Sequence, residues 1–235
     1  MYVSGKTDCG LVRQVNEDNI FFDSSLFIVA DGMGGHLAGE IASFDAIACI
    51  KDFMTENADN EEVLFIIDKA VKFANKYIFD KSQTDISYKG MGTTVTLAKM
   101  ISERLYYAHV GDSRIYLFRN KELKQITTDH SLVAELLISG QITPEQALVY
   151  PNKNVITKAV GTAENVEADT GYFDLVEDDI IILCSDGVTN MLNDETICKI
   201  IVEHENNIDT MTDTFVSEAN AAGGSDNISV ICLKY

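Results

Sequence analysis

The sequence predicts an α+β sandwich, in which β-sheets are covered by helices. Segments rich in β-branched and aromatic residues occur in runs and are typical of strands, whereas segments with helical periodicity occur in pairs. A chain of 235 residues with 46% hydrophobic residues can bury a substantial core, as one large domain or two small ones. We therefore expect a mixed fold of strands and paired helices.

The N-terminal half contains strands, then two helices, then more strands. Apolar residues at helical spacing predict one helix from Leu37 to about Met54 and a second across 63–77. The region 93–126 is typical of meandering antiparallel strands, with Asn120 and Lys121 at a turn. The strand-like segments of this half are IFF near Ile20, LFIVA ending at Ala30, TTVTLAKMI from Thr93, RLYYAHV from Arg104 and RIYLF from Arg114.

The region 128–166 differs from its surroundings because it contains both prolines of the chain. Thr143, Pro144 and Gln146 have the spacing of a helix start, with Thr143 as N-cap and Gln146 as its capping-box partner. We expect a short helical insertion here. Its role stays open, because a solvated excursion without function competes with a functional loop.

The C-terminal part again places two helices between strands. DIIILC ends at Cys184, and ISVICLK lies near the end of the chain. Asp194 is the expected N-cap of a helix that ends at His204, and a second helix is expected from about Ile208 to Ala221.

The charge of the chain excludes some functions. With 37 Asp and Glu against 18 Lys and Arg, the formal charge of −19 opposes binding to nucleic acid or to an anionic membrane. The same excess of carboxylates suits hard cations. Five scattered cysteines and the absence of a signal peptide or a membrane-spanning apolar run lead us to expect a cytoplasmic protein with reduced thiols.

The stretch FIVADGMGGHLAGEIAS places a carboxylate where a strand runs into glycines and a helix. Asp31 and the carbonyl of Gly32 are two oxygens that can face one hard ion such as Mg²⁺ or Mn²⁺. An ordinary strand–glycine–helix turn explains the same pattern. A dinucleotide-binding loop is disfavoured, because Leu37 stands where its third glycine is required.

The arrangement recurs at other strand ends. Asp112, Asp186 and Asp226 also lie beside small residues next to strands, and RQVNEDN supplies Arg13, Glu17 and Asp18 before another strand. Carboxylates that converge repel one another unless cations lie between them. These residues together predict a metal site.

The same segments resemble the metal-dependent type 2C (PPM) serine/threonine protein phosphatases in their compact bacterial form. The resemblance spans the chain in order, through TDCGLVRQVNEDN, VADGMGGHLAGEIAS, GMGTTV, HVGDSRIYL, TTDHSL, NVITKAVGT, LCSDGVT and GGSDNISV. It implies one catalytic domain over 1–235, built as a four-layer α-β-β-α sandwich with two antiparallel sheets face to face. It also implies that about 130–165 form the flap next to the active site.

The resemblance also implies roles for the acidic residues. They would bind two Mn²⁺ or Mg²⁺ ions tightly and a third ion more weakly. Asp31 would contact both tightly bound ions, the Gly32 carbonyl would bind the first, and Asp186 and Asp226 would bind the second. Glu17 and Asp18 would act through metal-bound water, and Asp112 would hold the third ion together with Asp186. Arg13 would grip the substrate phosphate, since its planar fork matches two phosphate oxygens.

The chemistry expected from this set is hydrolysis by a metal-activated water that attacks phosphorus in line, without a phosphoenzyme. The sequence leaves two candidates for the general acid, His36 and a metal-held water. Eukaryotic relatives carry the histidine proposed as their general acid at the position where this chain has Met33. Two other functions compete: a non-catalytic sensor of phosphopeptide or metal, and a nucleotide-binding enzyme. We expect phosphoserine and phosphothreonine proteins as substrates, an opposing serine/threonine kinase as a signalling partner, and a monomer.

Overall fold

Two antiparallel sheets form the centre of the structure, a computed structural model that describes residues 1–34, 38–58, 62–148, 150–151 and 155–235. The strands are β1 (Tyr2–Asp8), β2 (Asp18–Phe22), β3 (Leu26–Met33), β4 (Gly92–Thr93), β5 (Val95–Ile101), β6 (Arg104–Val110), β7 (Arg114–Arg119), β8 (Glu122–Gln125), β9 (Asp169–Asp174), β10 (Ile180–Cys184) and β11 (Ile228–Lys234). The helices are α1 (Ala38–Glu56), α2 (Val63–Ser82), α3 (Leu132–Ile138), α4 (Pro144–Leu148), α5 (Asp186–Thr189), α6 (Asp194–His204) and α7 (Ile208–Ala221).

The first sheet has the order β1-β11-β10-β7-β8 and the second the order β2-β3-β5-β6-β9, with β4 paired to the end of β3. Helices α1 and α2 cover the second sheet, while α6 and α7 pack on the first. This arrangement confirms the expected four-layer α-β-β-α sandwich. The described part of the chain contains no helix that is both long and apolar enough to cross a membrane.

Successive side chains of a central strand point to opposite faces of its sheet, and both faces are buried, so the sequences of these strands are apolar throughout. In β3, Phe27 and Val29 face the opposite sheet, whereas Leu26, Ile28 and Ala30 pack against the helices. The strands β10 and β11 divide their side chains in the same way between the inter-sheet layer and α6–α7. A strand buried on both faces needs apolar residues at every position, so it lacks the polar alternation of a surface strand.

Two details of the predicted strands are wrong. The region 93–126 is not one meander, because β6 and β7 belong to different sheets and the segment 111–113 crosses between them. The strands β1 and β9 were not expected. Their sequences YVSGKTD and DTGYFD are polar because each strand lies at the edge of its sheet.

All four predicted long helices are present, but α2 extends to Ser82, five residues beyond its predicted end, and α1 ends at Glu56 rather than near Met54. The predicted first residue of α1, Leu37, lies outside the described residues. Asn193, not Asp194, is the N-cap of α6, since its side chain accepts a hydrogen bond from the Thr196 N–H at 2.9 Å. The capping box at the start of α4 is confirmed: Thr143 N–H donates to Gln146 Oε1 at 2.8 Å. Asn120 and Lys121 both have positive φ, as the expected two-residue β7–β8 turn requires.

Candidate metal centre

Five aspartates lie at the same end of the two sheets. Asp31 is near the end of β3 and directly opposite Asp18, the first residue of β2. Strands β10 and β11 are antiparallel, so Asp186 just after β10 and Asp226 just before β11 share an end. β7 is antiparallel to β10, which brings Asp112, just before β7, to that end as well. Strand direction alone therefore gathers carboxylates that are distant in sequence.

The aspartates interact electrostatically in this arrangement. Burial raises the pKa of the Asp31 carboxyl well above its usual range, and the negative charges of Asp18, Asp186, Asp112 and Asp226 raise it further. The pKa values of Asp18, Asp112 and Asp186 are also raised, first by desolvation and then by neighbouring aspartates. These groups hold negative charge at neutral pH only at a cost in free energy.

Two carboxylate oxygens in the cluster are buried without a hydrogen-bond partner, Oδ1 of Asp18 and Oε1 of Glu17. A buried acceptor of this kind is costly unless a cation or water meets it. No group of three His, Cys, Asp or Glu side chains in the described ranges forms a metal cage by itself. Mg²⁺ and similar ions usually keep several waters and use only one or two carboxylates each, so the donor set fits hydrated divalent cations.

Gly32 lets three segments meet beside Asp31. A Cβ at this position would lie 2.5 Å from the Glu17 carbonyl oxygen and would also collide with the carbonyl oxygen of Gly39 at the start of α1. The Gly32 N–H donates to that Glu17 carbonyl at 3.1 Å. Only glycine allows this close approach, which holds Glu17 next to the aspartates.

Arg13 is the cation that faces the cluster from the loop before β2. Its Nη2 donates to Asp226 Oδ2 at 2.9 Å, and its side chain is 51% exposed. The ion pair with Asp226 raises the pKa of Arg13. Arg13 is therefore fixed at the rim, where it remains accessible to a ligand from solvent.

Asn227 holds the loop that carries Arg13 and Glu17. Its Oδ1 accepts from the Glu17 N–H at 2.9 Å, and its Nδ2 donates to the carbonyls of Cys9 and Val15, both at 3.0 Å. The side chain is buried. Sequence reasoning missed this role, and the only local signal is the position of Asn227 directly after Asp226.

Two further polar residues position the carboxylates. Thr94 Oγ1 accepts from the Asp31 N–H at 2.9 Å and is hydrogen-bonded to Ser113 Oγ at 2.8 Å. Ser185 Oγ donates to Asp18 Oδ2 at 2.8 Å. These contacts fix the positions of Asp31 and Asp18 without adding positive charge. They were not predicted, since their partners are distant in sequence.

His130 joins the base of the 130–165 region to the Asp112 loop. Its backbone N–H donates to the Gly111 carbonyl at 2.7 Å, and its Nδ1 accepts from the Gly111 N–H at 3.1 Å. The neutral ring therefore carries its proton on Nε2, which faces Asp169 Oδ2 at 3.2 Å. The ring also stacks on buried His109, with centroids 5.0 Å apart.

The structure thus brings together Arg13, Glu17, Asp18, Asp31, Gly32, Asp112, Asp186 and Asp226, all predicted site residues. The remaining one, His36, lies outside the described residues.

A family model described as protein phosphatase 2C matches residues 12–222. The serine/threonine phosphatase stp of Listeria monocytogenes serotype 4b (strain F2365) is 39% identical, over 100% of this chain and 96% of that protein. The crystal structure of the Mycobacterium tuberculosis serine/threonine phosphatase PstP/Ppp superposes with a TM-score of 0.92 at 35% identity, covering 100% of this chain and 99% of that one. A structure of the PstP catalytic domain in complex with two manganese ions has a TM-score of 0.89 at 35% identity, covering 98% and 96%.

We predict that stabilisation by Mn²⁺ increases with pH. Because the pKa values of Asp18, Asp112 and Asp186 are raised in the folded state, the folded protein binds protons more tightly than the unfolded chain. Without metal, these carboxyls therefore stabilise the fold at low pH, and this stabilisation is lost as pH rises through their folded pKa values. Mn²⁺ binds the deprotonated form, so its effect should be largest above that window.

The test is the melting temperature with EDTA and with Mn²⁺ at pH 5 and pH 8. The Mn²⁺-dependent gain should be clearly larger at pH 8, and Asp186→Asn should reduce it. Asp52→Asn, at an exposed position on α1, is the matched control and should keep the full gain. An equal gain at both pH values would contradict the metal site.

Proposed function

Because the chain belongs to the protein phosphatase 2C family of metal-dependent serine/threonine phosphatases, we propose that its carboxylate cluster binds two divalent cations, Mn²⁺ or Mg²⁺. Asp31 would contact both ions and the Gly32 carbonyl the first. Asp186 and Asp226 would bind the second, while Glu17 and Asp18 would hold waters of the ions. The supporting observation is the convergence of these buried acids, two of which have oxygens without a partner.

Bound ions would supply Lewis-acid charge and a water of lowered pKa for in-line attack on a phosphomonoester. The residues of the chain orient the reactants. Arg13, half-exposed at the rim, would hold two phosphate oxygens through its guanidinium, and its ion pair with Asp226 ties this contact to a metal ligand. No covalent phosphoenzyme is required, and the general acid stays open between His36 and water.

We extend the proposal to Asp112 and to the rest of the chain. The Asp112 carboxyl is close enough to Asp186 for that charge to raise its pKa, which supports a weaker third ion held by these two residues. The whole chain would act as one catalytic domain, as a monomer, with 130–165 as the flap. Its phosphoprotein substrates would be products of an opposing serine/threonine kinase.

The proposed function predicts Mn²⁺-dependent hydrolysis of p-nitrophenyl phosphate that EDTA abolishes. Asp31→Asn should lower kcat/KM by about a hundredfold or more, because a metal contributes several kcal/mol to this class of reaction. Asp52→Asn, which removes an exposed acid on α1, should leave the rate unchanged. Turnover that persists in EDTA, or an active Asp31→Asn variant, would contradict the proposed metal-dependent phosphatase function.

Asp112 is predicted to affect turnover more than binding of the two tight ions. Asp112→Ala leaves the ligands of those ions in place, so calorimetry should still detect two tight Mn²⁺ sites while kcat falls, on phosphopeptide at least as much as on aryl phosphate.

Asp23→Ala is the matched control, because Asp23 shapes the β2–β3 turn, away from the carboxylate cluster, by accepting from the N–H groups of Ser25 and Leu26 at 2.7 and 2.8 Å. It should lower the free energy of unfolding by about 0.5–2 kcal/mol without changing kcat. If Asp112→Ala behaves like this control, Asp112 is a turn residue and the third-ion role is wrong.

A further inference from the structure

A cleft of about 970 Å³ opens beside the carboxylate cluster and includes Asp112 and Asp186 in its lining. Helix α3 lines it from the 130–165 region. The segment from Thr189 to Glu195, which joins α5 to α6, also contributes to the lining, as do Arg114, Gln125 and Asp129. The cleft is therefore continuous with the proposed catalytic site and extends well beyond the carboxylates that would meet a phosphate group.

The α3 side of the cleft is apolar and accessible. Val133, Leu137 and Ile138 line it, and Val133 and Leu137 share one helix face because they are four residues apart. Ile138 is 73% exposed and Leu137 38% exposed, and no residue of α3 belongs to the buried core. Met191 adds a flexible apolar side chain to the lining. This apolar surface gains free energy when a side chain covers it.

Two acids of the cleft lie away from the proposed metal ligands and have no cationic partner within the described ranges. Arg114, the cleft's only lining cation among the described residues, is committed to Asp129 through Nε at 2.9 Å and Nη2 at 2.7 Å. Asp194 and Glu195 are exposed in the first turn of α6, and neither forms an ion pair within the described ranges. An acidic first turn stabilises a helix by itself, but these two carboxylates also line the cleft.

We propose, on the basis of the phosphatase function above, that this cleft binds the polypeptide flanking the phosphorylated residue of a protein substrate. An aliphatic side chain of the substrate covers α3, and a Lys or Arg side chain meets Asp194 and Glu195. Two features favour this occupant: the cleft is continuous with the site where the phosphate must bind, and its uncompensated charge complements a basic residue. An acidic flank is repelled by the same carboxylates.

The test compares four phosphothreonine peptides that differ only at two flanking positions. The first position is Leu or Ser and the second is Arg or Glu, in all four combinations. Each kcat/KM is divided by that for p-nitrophenyl phosphate, which reports the catalytic site alone. The Leu and Arg peptide should exceed the Ser and Glu peptide by about tenfold, which corresponds to about 1.4 kcal/mol. The exposed ion pair and the covered Leu both contribute to this difference. The charge-dependent part should shrink at high salt.

Variants locate the effect. Glu195→Gln should weaken the preference for Arg, and Ile138→Ala should weaken the preference for Leu, because each removes one of the side chains that make the contact. Asp209→Asn, an exposed first-turn acid on α7, and Ile86→Ala, 82% exposed, lie outside the cleft and should retain both preferences.

Equal kcat/KM for all four peptides would overturn the cleft proposal. So would preferences that Glu195→Gln and Ile138→Ala leave unchanged, or preferences that the two control variants lose. In each of these cases Mn²⁺-dependent turnover of p-nitrophenyl phosphate would leave the phosphatase function intact. Failure of the wild-type protein to hydrolyse the aryl phosphate would instead contradict the proposed function on which the inference rests.

Discussion

Mutual repulsion among the aspartates at one end of the two sheets is the constraint on which the site depends. Asp31 lies opposite Asp18 in the β2–β3 ladder, and the pKa of its carboxyl is raised first by burial and then by the charges of four other aspartates. Like charges placed directly across a ladder destabilise a sheet. The fold tolerates this arrangement because its stability comes from three apolar layers elsewhere, and because cations can offset the charge.

The protein holds these carboxylates with neutral groups. Asn227, Thr94 and Ser185 fix the loops and strand ends through hydrogen bonds, and among these positioning contacts only Arg13 brings a full positive charge to the cluster. A site that neutralised its own aspartates with lysines or arginines would lose affinity for divalent cations. The repulsion among these carboxylates lowers the stability of the fold but serves the site, since active sites commonly retain charges that are unfavourable for folding.

Sequence reasoning recovered the parts of the structure whose signals are local. Helices α6 and α7 and the α4 capping box follow from cap residues and periodicity, and the aspartates were found because each lies beside a strand. The edge strands β1 and β9 lack an apolar pattern, and nothing local shows that β6 and β7 lie in different sheets. Asn227 acts through a partner, Glu17, that is 210 residues away in the chain, so its role requires the tertiary structure.

The central claim is that the repelling aspartates are bridged by two divalent cations that share Asp31. Crystals of the full chain grown with Mn²⁺, measured for anomalous scattering above the manganese edge, test it most directly. The account predicts two strong peaks at typical metal separation, about 3.5–4 Å, with an Asp31 oxygen between them and Asp186 and Asp226 at the second. A single peak, or manganese bound away from Asp31, would contradict it.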